Sequence, residues 1–277
     1  MNAATAASIS RLPRADVVRA LARRDFLTTR SYKLSFVLEL FFGLVELAVY
    51  YFISQVLGNV DPESLQGAPS YFAFAAVGVI MSALLAAATT SIAARLREEQ
   101  LAGTMEVLAA QPVTPLELCA GIVSFPFAYS AVRAAVYLLV ATFWMNLDVS
   151  QTSWVGVVTM LVVTALGLSP LGILSGALVV LYKRGSVIGG TLIYATTILG
   201  GAVFPISVLP DWLEWIGRLM PVRFAFDGVR AALFSGAGWG GDALALVAFG
   251  VVSAPLSLFA FAFALDRAKK TGSLSEY

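Results

Sequence analysis

The sequence predicts an all-α protein with six membrane-spanning helices, and three observations carry that reading. Hydrophobic residues make up 59% of the 277 residues and charged residues only 13%, with a mean hydropathy of +0.84, outside the range of soluble domains. Several nearly uncharged runs reach the ~20 residues a helix needs to cross a bilayer. Between the second and third runs lies a polar stretch, residues 95–117 (RLREEQLAGTMEVLAAQPVTPLE), where a short connection would suffice.

Residues 1–33 are basic and polar without an apolar h-region, so they read as a cytoplasmic segment and not as a cleavable signal peptide. A helix is predicted over 13–30, starting at Pro13, with Arg19, Arg23 and Arg30 on one face and Val17, Val18 and Leu21 opposite, although Phe26 falls on the basic side. It is either a positive flank or a helix lying in the headgroup plane against a partner. The transmembrane domain, 34–266, holds spans at 34–57, 70–94, 116–145, 153–181, 186–204 and 243–265, and a cytoplasmic tail occupies 267–277. A single polar helix is predicted over 96–111, ending at Gln111-Pro112. In it Leu101, Met105 and Leu108 recur at i, i+4, i+7, while Glu98, Glu99, Gln100 and Glu106 face another surface.

The starts and interruptions of the spans have their own chemistry. Thr114-Pro115-Leu116-Glu117 is a capping box with proline at the first helical position, and Asp242 is the expected N-cap of the last span. Pro126, Pro170 and Pro255 fall inside spans, where neighbouring helices can support a kink. Residues 205–240, with Pro205, Pro210 and Pro221 and with Trp212 and Trp215, are too interrupted for a straight span. They predict a re-entrant pair of short helices broken at Pro221, with Asp211 and Glu214 capping the first.

Charge placement predicts the orientation. Fourteen of the 18 basic residues precede the first span, lie between the second and third or fourth and fifth, or follow the last. Arg218, Arg223 and Arg230 lie on the other side and Arg133 within the third span. Both termini are therefore expected in the cytoplasm. Trp144, Trp154, Trp212, Trp215 and Trp239 all fall at the outer side, as an aromatic belt would.

Other functions are disfavoured. Cys119 is the single cysteine, so no internal disulfide forms, and the chain has no histidine to act as general base or zinc ligand. None of Lys33, Lys183, Lys269 and Lys270 stands in a Gly-Lys-Ser/Thr phosphate loop, so no ATP site is expected in this chain. A stand-alone proton-coupled transporter would need internal repeats, and 30–145 shows no self-similarity to 150–270.

Three segments together, the basic amphipathic helix, "REEQLAGTMEVLAAQPV" and "FP..VLP.WL......P......GVR", resemble the permeases of type-2 ABC transporters, across about 11–270. The resemblance implies a transport subunit that is not itself an enzyme, in the plasma (inner) membrane, working with a separate nucleotide-binding subunit that binds ATP and Mg. No cofactor is then bound by this chain directly and no nucleic acid is involved. Carried over, Glu98, Glu99, Gly103, Thr104 and Glu106 would form the coupling helix, and Arg19, Arg23 and Arg24 the N-terminal contact. Gly103 would be tolerated within that helix at a cost of about 1 kcal/mol. Pro205, Pro210, Pro221 and Arg230 would belong to the outer re-entrant element. Six spans are half a transporter in such a family, so a second copy, as a homodimer, is expected.

Glu39 and Glu46 lie seven residues apart on one face of the first span, and Arg133 lies within the third. Intramembrane charges face the protein or a wet path. Two readings stand: an ion pair of Glu46 with Arg133 that locks two spans, or a path lined by Glu39 and Glu46 that meets a cationic or polar substrate. Aromatic residues, Phe36, Phe41, Phe42, Tyr50, Tyr51 and Phe52 among them, stud the first span as packing or substrate contacts. The expected substrate is an amphipathic small molecule or lipid-like compound. A polysaccharide or glycolipid exporter is the alternative within the family.

Overall fold

A computed structural model of the chain describes residues 14–31, 33–58, 65–111, 113–182 and 185–271. The predicted start at Pro13, and Arg11, Tyr32, Pro112, Lys183 and Arg184, lie outside the described residues. In order, the helices are α1 (Arg14–Ser31), α2 (Lys33–Leu57), α3 (Tyr71–Thr89), α4 (Ser91–Leu101), α5 (Met105–Ala110), α6 (Pro115–Trp144), α7 (Trp154–Leu181), α8 (Gly185–Leu199), α9 (Asp211–Leu219), α10 (Pro221–Arg230) and α11 (Trp239–Thr271). A short 3₁₀ turn, Ile206–Val208, precedes α9, and a π-helical turn, Ala231–Ser235, follows α10. No strand occurs among the described residues.

Five of these helices are long and apolar enough to cross a membrane: Phe36–Leu57 of α2, α3, α6, α7 and Trp239–Ala268 of α11. The stretch predicted as the fifth of six spans, 186–204, behaves differently. Its helix, α8, has 15 residues, about 22 Å at 1.5 Å per residue. Past Leu199 the chain turns, with Gly201 at φ +84°, a conformation a continuing helix cannot hold.

Other boundaries also move. The second predicted span, 70–94, ends at Thr89, and a separate helix begins at Ser91. The last span starts at Trp239, which places Asp242 in its first turn instead of at the cap, and it continues through Thr271. Asp211 and Glu214 sit inside the first turn of α9, whose N-cap is Pro210 without a side-chain bond. The capping box opening α6 is complete: the Thr114 backbone N–H donates to Glu117 Oε2 at 2.9 Å and the Glu117 N–H to Thr114 Oγ1 at 3.2 Å.

α3 is the centre of the bundle. Of its most apolar stretch 83% is buried, against 11% in α2 and 17% in α11. Small residues make this possible, since Ala73, Ala75, Ala76 and Ala88 let α2, α6, α7 and α10 approach closely. α7 and α11 pack along each other over the longest contact in the fold. Three apolar clusters follow the long axis. One joins α4, α5 and the start of α6 to the ends of α7 and α11 through Leu96, Met105, Ile122, Val180 and Phe261. A second joins α3, α7, α10 and α11 through Met81, Met160, Phe226 and Leu246. The third sits between α2, α3 and α6 around Leu47, Phe74 and Tyr137.

α2 and α6 meet at Gly43. A Cβ there would lie 2.0 Å from Tyr137 Oη, and Tyr137 is only 1% exposed and has no room to retreat. Gly43→Ala is therefore expected to destabilise the fold by about 1–3 kcal/mol. Thermal unfolding in detergent measures it, and an unchanged transition would mean that α2 stands further from α6.

Candidate functional site

At the end of the molecule that holds α1, the polar stretch after α3 folds as two helices meeting at a sharp turn. α4 ends at Leu101, Gly103 adopts φ +69°, and the Thr104 N–H returns to the Glu99 carbonyl at 2.9 Å. A glycine is suited to that left-handed position, which closes a helix end. The single helix expected over 96–111 is thus broken, and Gly103 is its breaker, not a tolerated interior residue. The break also separates Leu101, 66% exposed, from Met105, 1% exposed, so the two do not share a face. Met105 plugs into the core beside Leu96 and Leu118.

The turn is fastened from beneath by Glu99. Its carboxylate pairs with Arg24 of α1 at 3.1 Å and with Arg95, one turn back in α4, at 3.2 Å, and accepts a hydrogen bond from Thr104 Oγ1. Arg95 also reaches Glu98 at 2.8 Å and Asp25 at 3.6 Å. Next to Glu99, Gln100 Nε2 donates to the Val179 carbonyl of α7 at 3.3 Å. Leu21 of α1 lies against Gly121 of α6, where an added Cβ would be 2.3 Å away. α1 is thereby docked along α6 and clamped to α4.

Of the residues expected to meet a partner, this arrangement turns two inward: Glu99 is buried and Arg24 points at it. Glu98, Gly103, Thr104 and Glu106 remain exposed, as do Arg19 and Arg23 on α1. On either side of the Gly103 turn, Leu101 and Val107 are 66% and 61% exposed, two large apolar side chains left uncovered on a polar crest. Asp25, Arg95 and Gln100, which complete the clamp, were not singled out as site residues by the sequence. Asp25 reaches Arg95, and Gln100 reaches the Val179 carbonyl, across helices, which spacing does not signal. The i, i+3 and i, i+4 spacing of Arg95 to Glu98 and Glu99 within α4 is the one signal that could have found the clamp.

Further along the bundle, Arg133 of α6 pairs with Glu39 at 3.0 Å, not with Glu46. The close approach at Gly43 explains the choice. It lets Tyr137 Oη donate to the Glu39 carbonyl at 3.1 Å, which sets the register of α2 against α6. Tyr129 Oη donates to Glu39 Oε2, and Arg133 donates to Tyr137 Oη, both at 3.1 Å. Glu46 is exposed in a cleft of about 500 Å³ lined by Leu38, Glu39, Phe42, Gly43, Glu46 and Arg133. Glu46→Gln is accordingly expected to leave the unfolding transition within about 0.5 kcal/mol of the parent, as a change away from packed contacts does. Glu39→Gln should lower it measurably, and the two melting curves compared in one detergent decide the matter.

At the other end, Pro221 opens α10 at its first position, and Arg230 closes it, 1% exposed. Its guanidinium donates to the carbonyls of Gly201 at 2.7 Å, Ala202 at 3.3 Å and Phe74 at 3.3 Å, and to Gln66 Oε1 at 3.2 Å. It lies 3.6 Å above the Phe74 ring and 3.6 Å from Asp227 Oδ1. Asp227 in turn accepts from Arg223 at 2.9 Å. Burial pushes the Arg230 guanidinium down to about 9 and the Asp227 carboxyl up, while their mutual attraction opposes both shifts. Pro205 and Pro210 flank the 3₁₀ turn that leads into α9.

The sequence matches the ABC-2 type transporter family over residues 16–234, which takes in every element from α1 through α10. The inner membrane transport permease YadH of Escherichia coli strain K12 is 26% identical over 161 residues, 58% of this chain and 62% of the relative. YadH of Shigella flexneri matches to the same extent. The chain thus aligns with a little under two thirds of these relatives' length. With a family match over most of the chain and a bundle of long apolar helices, this protein belongs to the ABC-2 type transporter family as a membrane permease component.

Proposed function

We propose that the chain is the permease subunit of an ABC exporter, driven by a separate ATPase subunit that docks on the crest formed by α4, α5 and the exposed face of α1. The observation that carries this reading is the crest itself. Leu101 and Val107 stand exposed on either side of the Gly103 turn, on the same crest as the exposed acids Glu98 and Glu106, and the buried Glu99 clamp holds the whole turn rigidly to α1. An uncovered apolar pair rimmed by charges suits a partner groove better than solvent. ATP and Mg belong to that partner. The placement of basic residues puts the crest and both termini in the cytoplasm of an inner-membrane protein. α8 and the turn after it serve as the remaining crossing, giving six, and α9 with α10 form the outer re-entrant hairpin. A second copy of the chain completes the path, which carries an amphipathic or lipid-like compound outward. The largely exposed α2 and the open space around Gly190 in α8 leave room for that copy.

Affinity purification of the tagged permease in mild detergent, from cells that express its genomic neighbours, tests the reading. An ATPase is expected in the eluate. Glu98→Ala/Glu106→Ala should remove most of it while leaving the unfolding transition of the permease in place. A permease that elutes without ATPase activity, and whose behaviour ignores those substitutions, would overturn the proposal.

A further inference from the structure

α1 runs along α6 but barely touches α2, and the space left between the three helices is a groove of about 660 Å³. Its walls are apolar: Phe26 from α1, Val37 from α2, and Phe125, Ala128 and Val132 from α6. Phe26, Val37 and Val132 are each more than half exposed, so no described part of the chain covers them. Arg30, in the last turn of α1, is the one charged side chain among the described residues of the lining. It is exposed and has no ion-pair partner among the described residues. The polar cleft that shares Phe36 and Tyr129 with the groove supplies no free charge. Its carboxylates Asp25 and Glu98 pair with Arg95, and Glu39 pairs with Arg133. None of those five residues lines the groove, so the charge that an occupant of the groove meets is positive.

Contacts along α6 give the depth. Phe26 meets Phe125 at 6.1 Å between ring centroids, Phe36 meets Tyr129 at 5.4 Å, and Tyr137 donates to the Glu39 carbonyl. Passing from Phe125 to Tyr137 thus leads from α1 into the first span, whose apolar stretch begins at Phe36. Arg30 stands just ahead of that span, and Val132 lies about 10 Å beyond Phe125 along α6, at 1.5 Å per residue. A headgroup at Arg30 and a chain running toward Val132 follow that order. Anionic lipids enrich the cytoplasmic leaflet, and an arginine at its surface attracts them. We infer that the groove is a binding site for an anionic phospholipid, with its phosphate on Arg30 and an acyl chain against Phe125, Ala128 and Val132. A free phosphate would leave the apolar wall uncovered, and a phosphocholine head would bring its own cation to Arg30. The choice of leaflet rests on the proposed cytoplasmic placement of α1; the binding itself does not. Arg19 and Arg23, outside the lining, stay free for the ATPase subunit. A lipid seated there fills the gap between α1 and the first span, and because Arg24 ties α1 to Glu99, it braces the crest as well.

Native mass spectrometry of the purified permease, titrated in detergent with dioleoylphosphatidylglycerol or dioleoylphosphatidylcholine, tests the site without any ATPase present. One phosphatidylglycerol per chain is expected at the tightest step. It should bind about fivefold more tightly than phosphatidylcholine, the discrimination that one arginine at a membrane surface supplies. Arg30→Gln should erase that preference, while Arg23→Gln, at an arginine also exposed but outside the groove, should leave it in place. Ala128→Trp, which fills the groove from an exposed position, should weaken both lipids by about tenfold or more, as loss of chain burial requires. No preference for phosphatidylglycerol in the parent would overturn the site, as would equal losses from Arg23→Gln and Arg30→Gln, the mark of diffuse surface attraction. So would displacement of the lipid by millimolar glycerol 3-phosphate, which has the head without the chain. An Ala128→Trp variant that keeps its lipid would also overturn it, and one that loses a dimer at the same time would give the groove to a second copy. Lipid binding by a permease that elutes without an ATPase would refute the exporter reading and leave this one standing.

Discussion

Arg230→Ala is expected to destabilise the protein by about 3–5 kcal/mol, the range for removing one partner from a buried, hydrogen-bonded charge network. The guanidinium is a junction. It ties the end of α10 to the carbonyls of Gly201 and Ala202 beyond α8, to Phe74 at the start of α3, and to Gln66 in the preceding connection. Alanine leaves those buried acceptors without a donor and opens a void under the Phe74 ring, 3.6 Å below the guanidinium. Arg230→Lys should not rescue it, because an ammonium on a flexible stem cannot present a planar fork to acceptors from three segments. Two readouts bear on this: the thermal transition in detergent, and proteolysis between 200 and 210, which should accelerate as the 3₁₀ turn loses its anchor. A variant that melts with the parent would show that the outer hairpin is held by apolar packing alone.

Most of the fold was legible because apolar runs and helix-start chemistry are local properties. The box at Thr114–Glu117, the break at Pro221 and four of the long helices stand where composition puts them. What the sequence misjudged depends on tertiary neighbours. The periodicity through Leu101, Met105 and Leu108 looked continuous, but Gly103 takes a left-handed turn that lets Met105 reach the core. Glu39 and Glu46 are equivalent on a helical wheel, and only the closeness of Gly43 to Tyr137 decides which one meets Arg133. Arg230 looked like one more residue of the outer loop. Its burial follows from the return of three distant segments onto one point, and no spacing along the chain encodes that.

The clamp under the crest makes the second strong prediction, because Glu98 and Glu99 are adjacent in sequence and opposite in environment. Glu98 has a side chain 64% exposed, so removing it touches only a surface pair worth well under about 1 kcal/mol. Glu99, 11% exposed, stands between Arg24 and Arg95 and holds Thr104 across the turn. Glu99→Ala leaves two guanidiniums facing each other with a reduced counter-charge, and of the charged ties between α1 and α4 only the longer Asp25–Arg95 pair, at 3.6 Å, remains. We expect a loss of about 2–3 kcal/mol, below the range for a fully buried pair because Arg24 is 38% exposed. Hydrogen exchange should quicken across Arg14–Ser31 while α7 and α11 stay protected. A double-mutant cycle of Glu99→Ala with Arg24→Ala should show coupling of about 0.5–3 kcal/mol, whereas the same cycle with Glu98→Ala should close near zero. If partner ATPase fails in both single variants but only Glu99→Ala loosens α1, the crest and the clamp are separate devices: one surface makes contact, and the other keeps it rigid enough to transmit force.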